Sequence, residues 1–202
     1  MNGSVIRRVV GYVLTLEALL LLLPCIVALY YNEQEGYAYL ASSAICLVLG
    51  GAMSLKKPKS NVFYLKEGCV ATALSWIVLS VFGAIPFVLT GEIPHFVDAL
   101  FETASGFTTT GASILSDVET LANCTLFWRS FTHWIGGMGV LVFILAMIPL
   151  SGGSNMNLMR AESPGPSVSK MSPHMRDTAT ILYAIYFGLT VLQMILLLIG
   201  GM

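Results

Sequence analysis

The sequence predicts an all-α integral membrane protein. Of its 202 residues, 56% are hydrophobic and only 10% are charged, and the mean hydropathy is +0.80. A soluble domain carries roughly 25% charged residues. The apolar residues gather in several runs near ~20 residues, the length at which a helix crosses a bilayer. Between two of these runs lies a segment, Pro94 to Ala104, that is too short to cross. It is followed by Ser105-Gly106-Phe107-Thr108-Thr109-Thr110-Gly111-Ala112-Ser113. Glycines and threonine hydroxyls at this density do not belong on a lipid-facing helix. Non-helical backbone at membrane depth is tolerated only where protein or a water-filled cavity surrounds it, so this stretch reads as a re-entrant loop.

The elements follow in order. Arg7 and Arg8 precede a first span over residues 9–31, interrupted only by Thr15, Glu17 and Pro24. It is long for a secretory signal and has no convincing small-residue cleavage site after it, so it is kept as a helix. Residues 32–36 form a polar turn. Residues 37–55 form a second span rich in Ala, Ser and Gly, which suit close packing against other helices. Lys56-Lys57-Pro58-Lys59 ends it. A third span covers residues 68–89, with Pro86 near its far end. Pro94 then opens the short segment, where its missing N–H costs nothing. Residues 94–104 make about three helical turns, half a membrane. A polar loop follows the glycine-threonine stretch to Asn123. The fourth span is expected over 126–150, with Trp128 and Trp134 near its start in an interfacial belt. A connector runs to Arg176, and a last span covers residues 177–201.

Several function classes are excluded or disfavoured. A net charge of −1 leaves no basic footprint for nucleic acid. Cys25, Cys46, Cys69 and Cys124 show no close pairing, so they read as lone buried thiols acting as small hydrophobes rather than a disulfide or zinc framework. No Ser-His-Asp or metal-ligand arrangement appears, and the chain does not read as an enzyme. Asn123-Cys124-Thr125 matches a glycosylation acceptor, but the pattern is short.

Basic residues set the orientation. With the amino terminus cytoplasmic, Arg7, Arg8, Lys56, Lys57, Lys59, Lys66, Arg160, Lys170 and Arg176 fall inside, and Arg129 alone lies elsewhere. Glu33, Glu35, Glu92, Asp98, Glu102, Asp117 and Glu119 then fall on the outer side, around the mouth of the loop.

Span, half-helix, loop and span together form the plan of a pore-loop cation channel unit. A bare cation must exchange hydration oxygens for protein oxygens of similar field. Backbone carbonyls and threonine hydroxyls supply them, and Gly111 permits a backbone shape closed to other residues. The negative end of the half-helix, near Ala104, favours a cation. Outer acids raise the local cation concentration. The bland alternative is an ordinary polar loop between two helices.

Gly106-Phe107-Thr108-Thr109-Thr110-Gly111-Ala112-Ser113 resembles the first filter of the TrkH-type potassium uptake proteins of the Trk/Ktr/HKT superfamily. Phe127-Trp128-Arg129, followed by Trp134-Ile135-Gly136-Gly137-Met138-Gly139, resembles the helix after that filter. Arg160-Ala161-Glu162-Ser163-Pro164-Gly165-Pro166, with Thr178-Ala179 and Tyr186 beyond it, resembles the link into the second repeat. The resemblance implies two leading transmembrane helices (1–60), a first helix–pore loop–helix repeat (61–151), a cytoplasmic linker (152–176) and the first helix of a second repeat (177–202). The chain is thereby expected to be an amino-terminal part of a four-repeat protein. The resemblance also implies a plasma-membrane location, potassium as the transported ion with no covalent cofactor, and ion-binding filter positions at Thr108, Thr109, Thr110 and Gly111. Potassium would sit at Thr109, Thr110 and Gly111. The implied partners are the lipid bilayer, a second copy in a homodimer, and a cytoplasmic nucleotide-binding regulatory subunit of the TrkA type. The rival readings are a non-conducting membrane fragment and a sodium-coupled secondary transporter with a re-entrant loop.

Other residues carry a sharper and a plainer reading each. Glu17 is a functional candidate as an ionisable group inside a span, or a packing or interfacial partner. Arg129 pairs with Asp98 or Glu102, or sits at the headgroups. His133 titrates near the pore or packs with a hydrogen bond, and His95 and His174 are interfacial. Gly136, Gly137 and Gly139 form a hinge or permit close packing.

Overall fold

The computed structural model describes residues 2–55, 65–139 and 175–201. Every regular element among them is a helix: α1 Gly3–Leu20, α2 Leu22–Tyr31, α3 Gly36–Leu55, α4 Leu65–Gly83, α5 Ile85–Thr90, α6 Phe96–Phe107, α7 Asn123–Met138 and α8 Met175–Ile199. Four helical stretches are long and apolar enough to cross a membrane: Gly3–Tyr31, Gly36–Leu55, Lys66–Thr90 and Thr180–Ile199. The second half of the expected fourth span, the lysine-rich turn 56–59 and the Arg160 motif lie outside the described residues.

Two spans expected as continuous are broken, and proline accounts for both breaks. Proline lacks an N–H, and its ring clashes with the carbonyl four residues earlier. Pro24 places that clash at Leu20, where α1 ends. Pro86 places it at Phe82, one residue before the end of α4. The chain still continues in the same span at each site, so the breaks are kinks.

Small residues set how closely the helices approach. A Cβ on Gly11 would meet Ser54 N at 2.8 Å and Gly50 O at 3.0 Å, and a Cβ on Gly50 would meet Thr15 N at 2.7 Å. Thus α1 and α3 cross backbone to backbone, the use expected of small residues in a membrane. Ser43 Oγ donates to Ala18 O at 2.7 Å and ties the same pair. The other flank of α1 packs on α4, while α6 lies between α4 and α7. The core runs through Leu14, Leu79, Phe87, Phe107 and Trp128, all essentially without exposure.

Trp128 therefore corrects one expectation. It is a core residue rather than part of an interfacial belt. Its ring meets Phe107 edge-on, and its Nε1–H donates to Gly83 O at 3.0 Å. A buried indole N–H needs an acceptor, and the carbonyl at the α4–α5 kink provides one. Trp134 is likewise engaged, donating to Thr190 Oγ1 of α8 at 3.1 Å.

Candidate functional site: a half-length helix ending in a strained threonine loop

Helix α6 runs from Phe96 to Phe107, later at both ends than the 94–104 segment expected. Ser105, Gly106 and Phe107 belong to the helix, so its negative end lies at Phe107–Thr108 rather than at Ala104. The extra turn fits because Gly106 has no side chain: a Cβ there would overlap the Thr132 hydroxyl of α7. Twelve residues still span only about 18 Å, roughly half of a bilayer.

The helix closes in a Schellman arrangement. Thr109 N–H donates to Gly106 O and Thr110 N–H to Ser105 O, both at 2.9 Å. Such a closure requires a left-handed residue, usually glycine, at its centre. Here that residue is Thr109, with φ of 54°. A β-branched residue in this region is an outlier and stores about 1–3 kcal/mol of strain. Gly111 follows with φ of 75°, where glycine is at no disadvantage.

Two hydroxyls of the triplet turn inward on the loop itself. Thr108 Oγ1 donates to Ala104 O at 2.7 Å and lies 2.8 Å from Thr110 Oγ1. The carbonyls behave differently. Among the described residues, no donor reaches those of Thr108, Thr109, Thr110 or Gly111. Residues 108–113 are exposed in this chain. Four consecutive open carbonyls beside the negative end of a helix form a polar surface suited to a cation.

The segment beyond Gly111 is held from behind. Ser105 Oγ donates to Ala112 O at 2.5 Å. Glu102, 1% exposed, accepts from Ser113 Oγ at 3.0 and 3.1 Å, from Ile114 N–H at 3.1 Å, and from Arg129 Nε at 2.5 Å. Of the two partners weighed for Arg129, the structure selects Glu102. His133 packs with Nδ1 at 3.0 Å from Arg129 O, one turn away. Gly136 serves close packing, since a Cβ there would overlap the Phe107 carbonyl, and Gly137 sits against the Tyr186 hydroxyl. Gly139 caps α7 with φ of 87°.

Some acids expected at the mouth have structural work. Glu33 accepts from Asn123 N–H and Cys124 N–H at 2.8 and 2.9 Å, and from Asn123 Nδ2 at 2.8 Å, which closes the amino end of α7. Partial burial works to raise its pKa, but these hydrogen bonds prevail and hold it below the ordinary 4.5. Glu92 Oε1 accepts from Ala122 N–H at 2.6 Å. Sequence reasoning missed both caps, because each acceptor stands 30 to 90 residues from its donor. Glu17 is buried against Gly83 at the kink, and neither carboxyl oxygen has a partner among the described residues. The four cysteines are free, and Cys69 is exposed rather than buried.

These features define a multi-pass helical membrane protein with a half-length helix packed inside its bundle and an exposed open-carbonyl loop at the end of that helix. Comparison with known proteins places it more narrowly. Residues 35–201 match the TrkH family model, described as a cation transport protein, and the chain belongs to that family. It is 36% identical to the Trk system potassium uptake protein TrkH of Salmonella typhimurium over its whole length. It is 33% identical to an uncharacterized cation transporter of Methanocaldococcus jannaschii over 98% of the chain. The crystal structure of the potassium transporter TrkH from Vibrio parahaemolyticus superposes with a TM-score of 0.73 at 30% identity, covering 95% of this chain and 38% of that one. The chain spans 42% and 41% of the lengths of those two sequence relatives.

Proposed function

We propose that the full-length protein carries potassium across the plasma membrane as the ion-conducting subunit of a Trk-type system. In this reading Thr108, Thr109, Thr110 and Gly111 provide one quarter of a carbonyl-lined selectivity filter. The observation that carries it is the run of four carbonyls that no donor among the described residues reaches, at the end of a half-length helix. A dehydrating cation needs oxygens that no N–H already occupies. The names of the relatives, potassium uptake proteins, support the choice of ion. Potassium is the cargo here, coordinated chiefly at Thr109, Thr110 and Gly111. One such loop cannot enclose an ion, so further pore loops complete the ring, in this reading from the later repeats.

The remaining assignments belong to the same proposal. The domain plan is two leading helices, a helix–pore loop–helix repeat, a linker and the first helix of a second repeat. The amino terminus is cytoplasmic, the full-length protein is a homodimer, and a nucleotide-binding regulatory subunit docks on its cytoplasmic face. The filter is tested by Gly111→Val in the full-length protein, with rubidium-86 and sodium-22 uptake measured in proteoliposomes. Valine cannot hold a φ of 75° without strain, so potassium-over-sodium discrimination is expected to fall or uptake to vanish. Unchanged discrimination at normal uptake overturns the filter assignment.

A further inference from the structure

We infer that Glu102 is a positioning residue for ion selectivity, acting on the filter through the segment that follows it; this rests on the filter reading above. Residues 108–111 are a short bridge between two fixed points. One is the end of α6, closed by the bonds from Thr109 and Thr110. The other is residues 112–114, pinned by Ser105 Oγ on Ala112 O and by Glu102 on Ser113 and Ile114. Ser105 and Glu102 stand three residues apart on α6 and so share one face. The bridge must return from the helix end to this face within four residues. It does so with two left-handed residues, one of them the strained Thr109. Strain of this kind persists only where the surroundings over-determine the backbone, and the Glu102 anchor supplies part of that constraint.

The carboxylate is suited to this work. It is 1% exposed, and each of its oxygens accepts from the Ser113 hydroxyl. Arg129 on α7 offsets its charge through Oε1, and Ile114 N–H binds Oε2. Glu102 therefore couples three parts: the half-length helix, the far end of the loop and the next helix. Among the described residues no hydrogen bond joins it to residues 108–111, so its effect passes through the backbone.

The test uses the full-length protein in proteoliposomes. Glu102→Gln keeps the shape but removes the charge and one acceptor. Ser113→Ala removes the hydroxyl link to Glu102, together with the acceptor for Leu115 N–H, in an exposed loop, and serves if Glu102→Gln does not fold. The readouts are the rubidium-to-sodium uptake ratio and the KM for rubidium, set beside the folded yield by size exclusion. Loss of an outer-shell partner typically costs about 10–100-fold in ion affinity or activity. An effect of that order on the uptake ratio or KM, with folded yield retained, is the expected result, with a smaller effect for Ser113→Ala. A Glu102→Asp variant that partly restores the ratio also supports the inference. An unchanged ratio and KM in folded Glu102→Gln, or in Ser113→Ala where the former does not fold, overturns it. Gly111→Val separates the two claims. If that variant alters discrimination and the Glu102 and Ser113 variants do not, the anchor fails and the filter stands. If Gly111→Val alters nothing, the filter reading itself fails.

Discussion

Gly136 shows how much a single hydrogen atom in place of a side chain controls here. Its Cα faces the Phe107 backbone, and a Cβ would occupy the position of the carbonyl. Backbone atoms at the end of α6 cannot swing aside as a flexible side chain would, because Thr108, Thr109 and Thr110 N–H groups already hold that turn. Gly136→Ala is therefore expected to destabilise the protein by about 1–3 kcal/mol, the usual range for overpacking. It should also displace the loop. Gly51 provides the contrast, since nothing lies within 4 Å of its Cβ position in the interior of α3. There Gly→Ala is expected to be neutral or to stabilise by about 0.5–1 kcal/mol through helix propensity. Thermal melts of the two detergent-solubilised variants check the pair, and equal melting temperatures would remove the packing argument. Glu17 is buried too, but its difficulty is polar rather than steric. Its carboxyl is enclosed beside the Gly83 kink without a partner among the described residues. A buried polar group with unmet hydrogen-bonding capacity carries a stability cost, which keeps it a candidate for function rather than for packing.

Helix ends carry the next level of organisation. The amino end of α7 exposes N–H groups that need acceptors, and Glu33 meets two of them from the turn between α2 and α3. Its negative charge also sits favourably at the positive end of the helix dipole. Because the folded-state pKa of Glu33 is lowered from 4.5, the cap contributes stability at pH above the unfolded value. That contribution is lost as pH falls through the folded value. The melting temperature is thus expected to drop on acidification from about pH 5 to about pH 3, and to drop less in Glu33→Gln, which starts lower. Parallel melting curves for the two proteins across that range would remove the cap from the account. This element also shows where sequence legibility ends. The half-length helix and its loop were readable, because a short apolar segment before Thr-Thr-Thr-Gly violates the pattern of a spanning helix. The kinks were half readable: Pro24 and Pro86 stood in view, but their breaks were absorbed into continuous spans. The caps by Glu33 and Glu92 were hidden, since acceptor and donor meet only after the bundle forms. Thr109 was hidden as well, because a left-handed threonine leaves no mark on composition or periodicity.

At the scale of the molecule, two proline- or glycine-marked interruptions and one helix face converge on one region. The α4–α5 kink at Gly83, the end of α6 at Phe107 and the face of α7 at Trp128 and Gly136 pack against one another. The first span braces this region through the contacts of α1 with α4 and of α2 with α7, and the second through those of α3 with α5. The amino end of α7, where the polar loop 112–122 rejoins the bundle, lies at the same end as the α2–α3 turn and is tied to it by the Glu33 bonds. That tie fixes relative sidedness without reference to charge, and the distribution of basic residues then assigns the sides. Gly3 lies one full span away from the α2–α3 turn, across α1 and α2. If Arg7, Arg8 and the lysines of 56–59 face the cytoplasm, the loop faces outward. In a background with Cys25, Cys46, Cys69 and Cys124 replaced by alanine, Glu119→Cys is expected to react with a membrane-impermeant maleimide in intact cells. Gly3→Cys is expected to react only after lysis. Both positions are exposed in the fold, so failure to label reports the membrane rather than burial. The reverse pattern would have the half-length helix enter from the cytoplasmic side and would overturn the orientation assigned from the basic residues.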